Sequence, residues 1–348
     1  MKVLCACLKY DYGIEERGIS LERQAILPSF EKCGVEVENF WLEDHGFPSD
    51  IELLQTQLIA TANNSSPDLI FFMLMKDEIR LETIDKLSIK YRTVNWFCDD
   101  QWRFDTYSKF VAKHLNYVLT VDKFSIPKYH KCGVDNVNLV QWAPISVDTE
   151  YCENPDYLYD VSFVGSKNPT REWTIGKLRE QGINVVCFGS GWENGRVSYM
   201  EMRDIFHRSK INLNLSNSVP KDISYCGYVL KLIIVSIFCL NRNKMKAGFN
   251  SLKQLFASAK KVEQLKARMF EIPGFCGFML SQYSLGLDDY YNIGSEVAIF
   301  SNISELEIQI KYYLSESETR ERLRRSSYYK TKTYSYYKYI NDFLKNIK

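Results

Sequence analysis

No CxxC pair occurs among the ten cysteines of this 348-residue chain. Cys5 and Cys7, two apart in what reads as the first strand, are expected on opposite faces of it. Neither a zinc site nor a disulfide framework follows from such spacing, and a reducing cytoplasm is the simple reading. The chain lacks the charged leader, apolar stretch and small-residue cleavage site of a secretory signal, because an apolar strand starts at Lys2. No run reaches the ~18 to 20 uninterrupted apolar residues of a spanning helix. There is no GxGxxG, and no metal-ligand constellation appears. Excess charge is scarce too, since 44 Lys and Arg against 43 Asp and Glu leave a net charge of +1.

What is present is a soluble, aromatic-rich composition with 23 Tyr and 20 Phe, in a length that suits two domains. Short apolar runs alternate with amphipathic ones through the first third: KVLCACL, VEVENFW, DLIFFML, TVNWFC, YVLTV and NVNLVQW. Strand and helix in alternation predict a parallel sheet covered on both faces. From 142 to 159 the periodicity fades and Pro144 and Pro155 enter, which marks a linker. DVSFVGS then opens a second series: a helix over 171–181, the strand INVVCFGS, a helix over 199–209 and the strand KINLNLS. The expected division is 1–145 with a returning helix at 332–348, a linker at 146–159, and 160–331 with a basic apolar insertion at 220–262. The segment from 316 onward reads as an amphipathic helical tail.

The densest block runs from 263 to 314. A helix is predicted to open at Gln264 and to be stopped by Pro273 and Gly274, with a strand over 275–280 after it. Lys266, Arg268 and Glu271 then lie at the start of a helix feeding a buried strand, a place suited to phosphate and ribose. Multiple cations satisfy a diphosphate, and an ionised carboxylate has room for both ribose hydroxyls. An ordinary ion pair between Glu271 and Lys266 or Arg268 at helical spacing explains the same residues without a ligand. In SFVGSKNPTREW, Gly165 and Ser166 end a strand and Arg171 opens a helix, which offers free N–H groups and a cation; a tight strand-to-helix turn explains it equally. Asn214 and Ser216 stand at another strand mouth.

In this block K-x-R-x-F-E-x-P precedes an apolar strand, followed by G-L-D-D, G-x-E and a helix with YYL. It resembles the donor-binding end of GT-B glycosyltransferases, specifically the CgeB/YkvP-like (glycosyl transferase family 1-like) group, and weaker similarity extends over nearly the whole chain. The resemblance implies an α/β GT-B fold, two Rossmann-like domains facing a central cleft, with a C-terminal helix crossing back to the N-terminal domain. It implies sugar transfer from a nucleotide-diphosphate sugar to a glycan or lipid-linked acceptor hydroxyl, with no cofactor and no metal, in bacterial surface polysaccharide synthesis. Arg268, Glu271, Lys266, Arg171, Gly165, Ser166, Ser216 and Gln264 become donor-binding candidates. A non-catalytic GT-B-like sugar- or nucleotide-binding envelope or spore-coat protein is the alternative.

On the N-terminal half, KYDYGIEERGISLE follows the first strand, with Gly13 permitting close backbone approach and Asp11, Arg17 and Glu22 available for acceptor contacts. NWFCDD places Asp99 and Asp100 at the end of a later strand, candidates for the base of an inverting transferase. Helix capping by Asp99 is the competing structural reading. Between Lys221 and Arg268 ten cations face only Asp222 and Glu263, so this window carries +8 and the remainder −7. An almost wholly apolar segment here precedes one with lysines opposite Phe249, Leu252, Leu255 and Phe256. That pattern suits an anionic membrane surface on the cytoplasmic side, and suits nucleic acid poorly because the apolar face would have no partner.

Overall fold

The computed structural model describes residues 1–145, 150–153, 155–215, 223–238, 242–257, 260 and 262–347. The chain divides into two compact units, Met1–Ser146 with Tyr334–Lys348, and Val147–Thr333.

Unit 1 is built from β1 (Lys2–Cys7), α1 (Leu27–Lys32), β2 (Glu36–Trp41), α2 (Ile51–Ser65), β3 (Leu69–Phe72), α3 (Leu81–Lys90) and β4 (Arg92–Phe97). After these come α4 (Asp100–Arg103), α5 (Lys109–Ala112), β5 (Tyr117–Thr120), α6 (Ile126–Lys131) and β6 (Val137–Leu139). The strands pair in parallel in the order β2-β1-β3-β4-β5-β6. The apolar runs of β3 and β4 are buried on both faces because helices cover each side of the sheet. Cys5 and Cys7 correct one expectation. Residues two apart in a strand share a face, both are buried, and burial pushes both thiols up.

Unit 2 contains β7 (Tyr159–Val164), α7 (Pro169–Glu180), β8 (Val185–Phe188), α8 (Tyr199–His207), β9 (Ser209–Asn214), α9 (Ile223–Phe238) and α10 (Arg242–Ala257). It continues with α11 (Arg268–Gly274), β10 (Met279–Gln282), β11 (Ala298–Phe300), α12 (Ile303–Ser315) and α13 (Ser317–Thr331). Its sheet is also parallel, in the order β11-β10-β9-β7-β8. The last helix, α14 (Tyr336–Asn346), belongs to unit 1 and packs on α1, with Tyr336 beside Trp96 and Phe343 beside Tyr117.

The helix predicted to open at Gln264 begins at Arg268 instead, and Pro273 lies inside it. Proline takes a hydrogen bond away from the carbonyl four residues earlier. Here that carbonyl, on Met269, accepts from the Tyr291 hydroxyl at 3.0 Å, and Tyr291 is in turn bonded to Thr331. The helix therefore survives its proline. It ends at Gly274, where the sequence placed the stop; beyond it Cys276 is left-handed at φ +59° and the Gly277 N–H closes onto the Ile272 carbonyl. A side chain at Gly277 would meet Asn212 and the Ile272 carbonyl within 3 Å. The predicted strand over 275–280 is accordingly displaced to Met279–Gln282.

Candidate functional site

In each sheet the chain reverses direction beside its first strand, between β1 and β3 in unit 1 and between β7 and β9 in unit 2. Ligands of open α/β sheets bind outside the carboxyl ends of strands at such a switch.

In unit 2, the tight turn after β7 is set by packing. A side chain at Gly165 would strike the Phe163 ring at 2.9 Å, and one at Gly189 would lie 2.3 Å from the Gly165 carbonyl oxygen. Asn168 then caps α7 by accepting from the Arg171 N–H, with Pro169 in the first turn. Arg171 reaches back across the switch. Its guanidinium donates to the Ser166 carbonyl at 2.9 Å and the Ser166 hydroxyl at 3.3 Å, and to the Leu215 carbonyl beyond β9 at 2.8 Å. Arg268 lies close by, with Nε 3.5 Å from the Val164 carbonyl at the end of β7 and its guanidinium over the Phe206 ring. It is ion-paired with Glu271, whose side chain is 7% exposed. The pairing at helical spacing is therefore real, and it holds Arg268 in place. Burial, with the Arg268 charge adding, pulls the Arg171 guanidinium down to about 10, so it stays charged at neutral pH. Among the described residues no carboxylate pairs with Arg171, so two adjacent cations share one anion.

Lys266 and Gln264 precede α11; Gln264 is buried and its carbonyl accepts from Ser284. Ser216 lies outside the described residues. Sequence reasoning missed the loop after β8, GSGWENG, which packs against the Gly165 turn and puts Trp192 under Lys167. Its three glycines, all at positive φ, were the available signal.

In unit 1, the loop after β1 is closed on itself. Asp11 N–H donates to the Gly18 carbonyl, Gly13 N–H to the Tyr10 carbonyl, and the Glu43 carboxylate accepts from the N–H groups of Lys9 and Tyr10. Gly13, at φ +70°, leaves room for the Phe47 ring. Arg17 is exposed and lies over Tyr12. Glu22, expected to offer polar contacts, is 6% exposed, and burial pushes its carboxyl up to about 7. Asp99 stands at the end of β4 in the N-cap position of α4, but its side chain makes no capping bond.

Asp100 has a different place from the one expected of a base. It is fully buried and accepts from the Thr120 hydroxyl at 2.5 Å and the Tyr129 hydroxyl at 2.8 Å. Burial lifts its carboxyl to about 6. It ties α4 to β5 and α6. Among the described residues, no group of three or more His, Cys, Asp or Glu gathers as for a metal.

The insertion forms the helix pair α9 and α10. Tyr225 and Val229 turn inward against Trp173 of α7, with Leu252 and Leu255 packed beside them. Leu230, Ile234 and Phe249 are more than half exposed, and Lys231, Lys246 and Lys253 are exposed on the same helices. Of the apolar face expected over Phe249, Leu252, Leu255 and Phe256, Leu252 and Leu255 thus pack inward and Phe249 is exposed, while the Phe256 side chain lies outside the described residues. No helix among the described residues is long and apolar enough to cross a membrane.

The family model described as glycosyl transferase-like matches residues 171–226 and 236–345. No curated protein matches the sequence. Among solved structures, HepE of Anabaena in complex with UDP and glucose is similar over 100% of this chain and 99% of its own, with TM-score 0.61 and 11% identity. The sucrose-phosphate synthase of Thermosynechococcus elongatus is similar over 99% of this chain and 98% of its own, with TM-score 0.60 and 9% identity. AviGT4, a glycosyltransferase involved in avilamycin A biosynthesis, is similar over 99% and 96%, with TM-score 0.55 and 11% identity. By fold the chain is a GT-B protein, and over most of its second half it matches the glycosyl transferase-like family.

Proposed function

We propose that this chain is a glycosyltransferase of the CgeB/YkvP-like group. It moves a sugar from a nucleotide-diphosphate donor to an acceptor hydroxyl, in synthesis of a bacterial surface polysaccharide such as an O-antigen or capsule. The observation that carries this reading is the pair of guanidinium groups, Arg171 and Arg268, fixed at the switch of unit 2 against the single carboxylate of Glu271. Two like charges held together cost free energy that a bound diphosphate relieves. The same donors stabilise the negative charge that grows on the diphosphate as its bond to the anomeric carbon breaks. Lys266 adds a third cation, the backbone at Gly165 and Ser166 approaches the phosphates, and Glu271 meets the ribose. Asp99 takes the proton of the acceptor hydroxyl as its oxygen bonds to the anomeric carbon.

A uridine donor is the first to test, since HepE is seen with UDP and with UDP-glucose. Thermal shifts with UDP, GDP, dTDP and CMP sugars identify the donor, because a ligand far above its Kd stabilises by a few kcal/mol. If no nucleotide diphosphate binds at millimolar concentration, the reading fails. Donor hydrolysis without acceptor, lost in Glu271→Ala, separates an enzyme from a protein that only binds.

In this reading the acceptor is lipid-linked, and the chain docks on the inner face of the cytoplasmic membrane through α9 and α10. The exposed Leu230, Ile234 and Phe249 beside three exposed lysines support an apolar face meeting anionic lipid. Co-sedimentation with anionic vesicles, abolished in the double variant Leu230→Glu, Ile234→Glu, is the expected result. Sedimentation unchanged by that variant removes the membrane from the proposal.

A further inference from the structure

Tyr12, in the loop after β1, adopts the left-handed region at φ 56° and ψ 25°, which aromatic residues seldom occupy. Such outliers persist only where the surroundings over-determine them. Here the surroundings do so: the Asp11 N–H to Gly18 carbonyl bond and the Tyr10–Ile19 bridge close the loop, and Glu43 pins its base. The constraint displays the aromatic residue instead of burying it. Tyr12 is 59% exposed, and Ile14 and Ile19 of the same loop are exposed as well. The Arg17 guanidinium lies 5.1 Å from the ring centroid.

Desolvation, followed by the carboxylates of Asp11 and Asp99, pushes the Tyr12 hydroxyl up, while the residue as a whole stays open to solvent. A constrained, exposed aromatic face with acidic side chains in reach suits a pyranose. The apolar C–H face of the sugar packs on the ring, and its hydroxyls donate to the carboxylates.

We infer that Tyr12 is the acceptor platform, on which a pyranose ring of the acceptor glycan packs with its reacting hydroxyl toward Asp99. This rests on the glycosyltransferase reading above and adds a residue to it. Tyr12 is a positioning residue in this role, held by backbone that the rest of the loop dictates.

The experiment compares wild type with Tyr12→Phe, Tyr12→Ala and Tyr12→Asn. Transfer is measured from the donor that the thermal-shift screen selects to a glycan array, with kinetics on the best acceptor. Asn tolerates the left-handed backbone and lacks the ring, so it separates stacking from loop geometry. Expected is an acceptor KM raised about tenfold in Tyr12→Asn and Tyr12→Ala, with the donor KM unmoved and Tyr12→Phe close to wild type. A wild-type acceptor KM in Tyr12→Asn overturns the platform, and so does a Tyr12→Phe variant as impaired as Tyr12→Ala. Wild-type protein that binds and turns over no donor overturns the glycosyltransferase reading and the platform with it. Donor hydrolysis by wild type, combined with undiminished transfer by Tyr12→Asn, overturns the platform alone.

Discussion

Both sheets reverse strand order beside their first strand, yet the two switches gather opposite charge. Unit 2 brings Arg171 and Arg268 together against Glu271, and Arg171 is held by backbone carbonyls on both sides of the reversal. Unit 1 brings Asp11, Glu43 and Asp99 to the loops after β1, β2 and β4, beside Glu22, whose carboxyl burial raises to about 7, with Arg17 turned outward over Tyr12. In the function proposed above, one architecture serves two tasks: one end receives the donor's anion and the other takes the acceptor's proton. The topology supplies a place for a ligand, and the side chains decide which ligand.

The hardest test of this contrast is Arg171→Ala. The substitution removes a cation and leaves the carbonyls of Ser166 and Leu215 without their donor, so we expect donor turnover to fall about 10³-fold. Calorimetric titration with the nucleoside diphosphate checks it, and unchanged affinity would break the contrast on the basic side. Asp99→Asn should act on the other side alone. The expected loss is about 10²-fold in kcat for transfer, with nucleotide affinity intact in the same titration.

Glu22→Gln gives a smaller, pH-dependent effect. The folded carboxyl, at about 7, lies above its ordinary 4.5, so it stays protonated in the folded chain where the unfolded chain has lost its proton. Its contribution to stability is full below pH 4.5 and is lost as pH rises toward 7 and beyond. Wild type should lose on the order of 2–3 kcal/mol across that window relative to the Gln variant, read by urea unfolding at several pH values. The smallest effect sharpens the comparison by salt. Raising ionic strength from about 0.05 to 0.5 M should weaken nucleotide binding a few-fold and leave the acceptor KM nearly unmoved. Equal salt sensitivity of the two substrates would remove the difference in sign.

The sheets were legible in the sequence because parallel strands buried on both faces show as continuous apolar runs, as in DLIFFML and TVNWFC. The start of α11 was not. It opens at Arg268 and not at Gln264, although its stop at Gly274 was read correctly, and inside it a distant hydroxyl, on Tyr291, satisfies the carbonyl that Pro273 leaves open. No local pattern reports a partner supplied twenty-two residues away. Arg171 and Arg268 were legible as residue types, while their convergence on one switch depended on strand order. Asp99 and Asp100 looked alike as neighbours in sequence, and one step along the backbone separates a strand end from a fully buried helix turn. Tyr12 carried no signal, because a left-handed backbone at tyrosine is dictated by the loop around it.

The placement of α14 in unit 1 bears on how the protein is born. Its Tyr336 and Phe343 sit beside Trp96 and Tyr117, residues synthesised before any part of unit 2. At ~5–20 residues per second, the ribosome takes on the order of 10–40 s to make the intervening segment. During that interval the first unit waits with an uncovered seam beside α1. The unit begun first is therefore completed last, and the growing chain must keep that seam from sticking elsewhere until its own closing helix emerges.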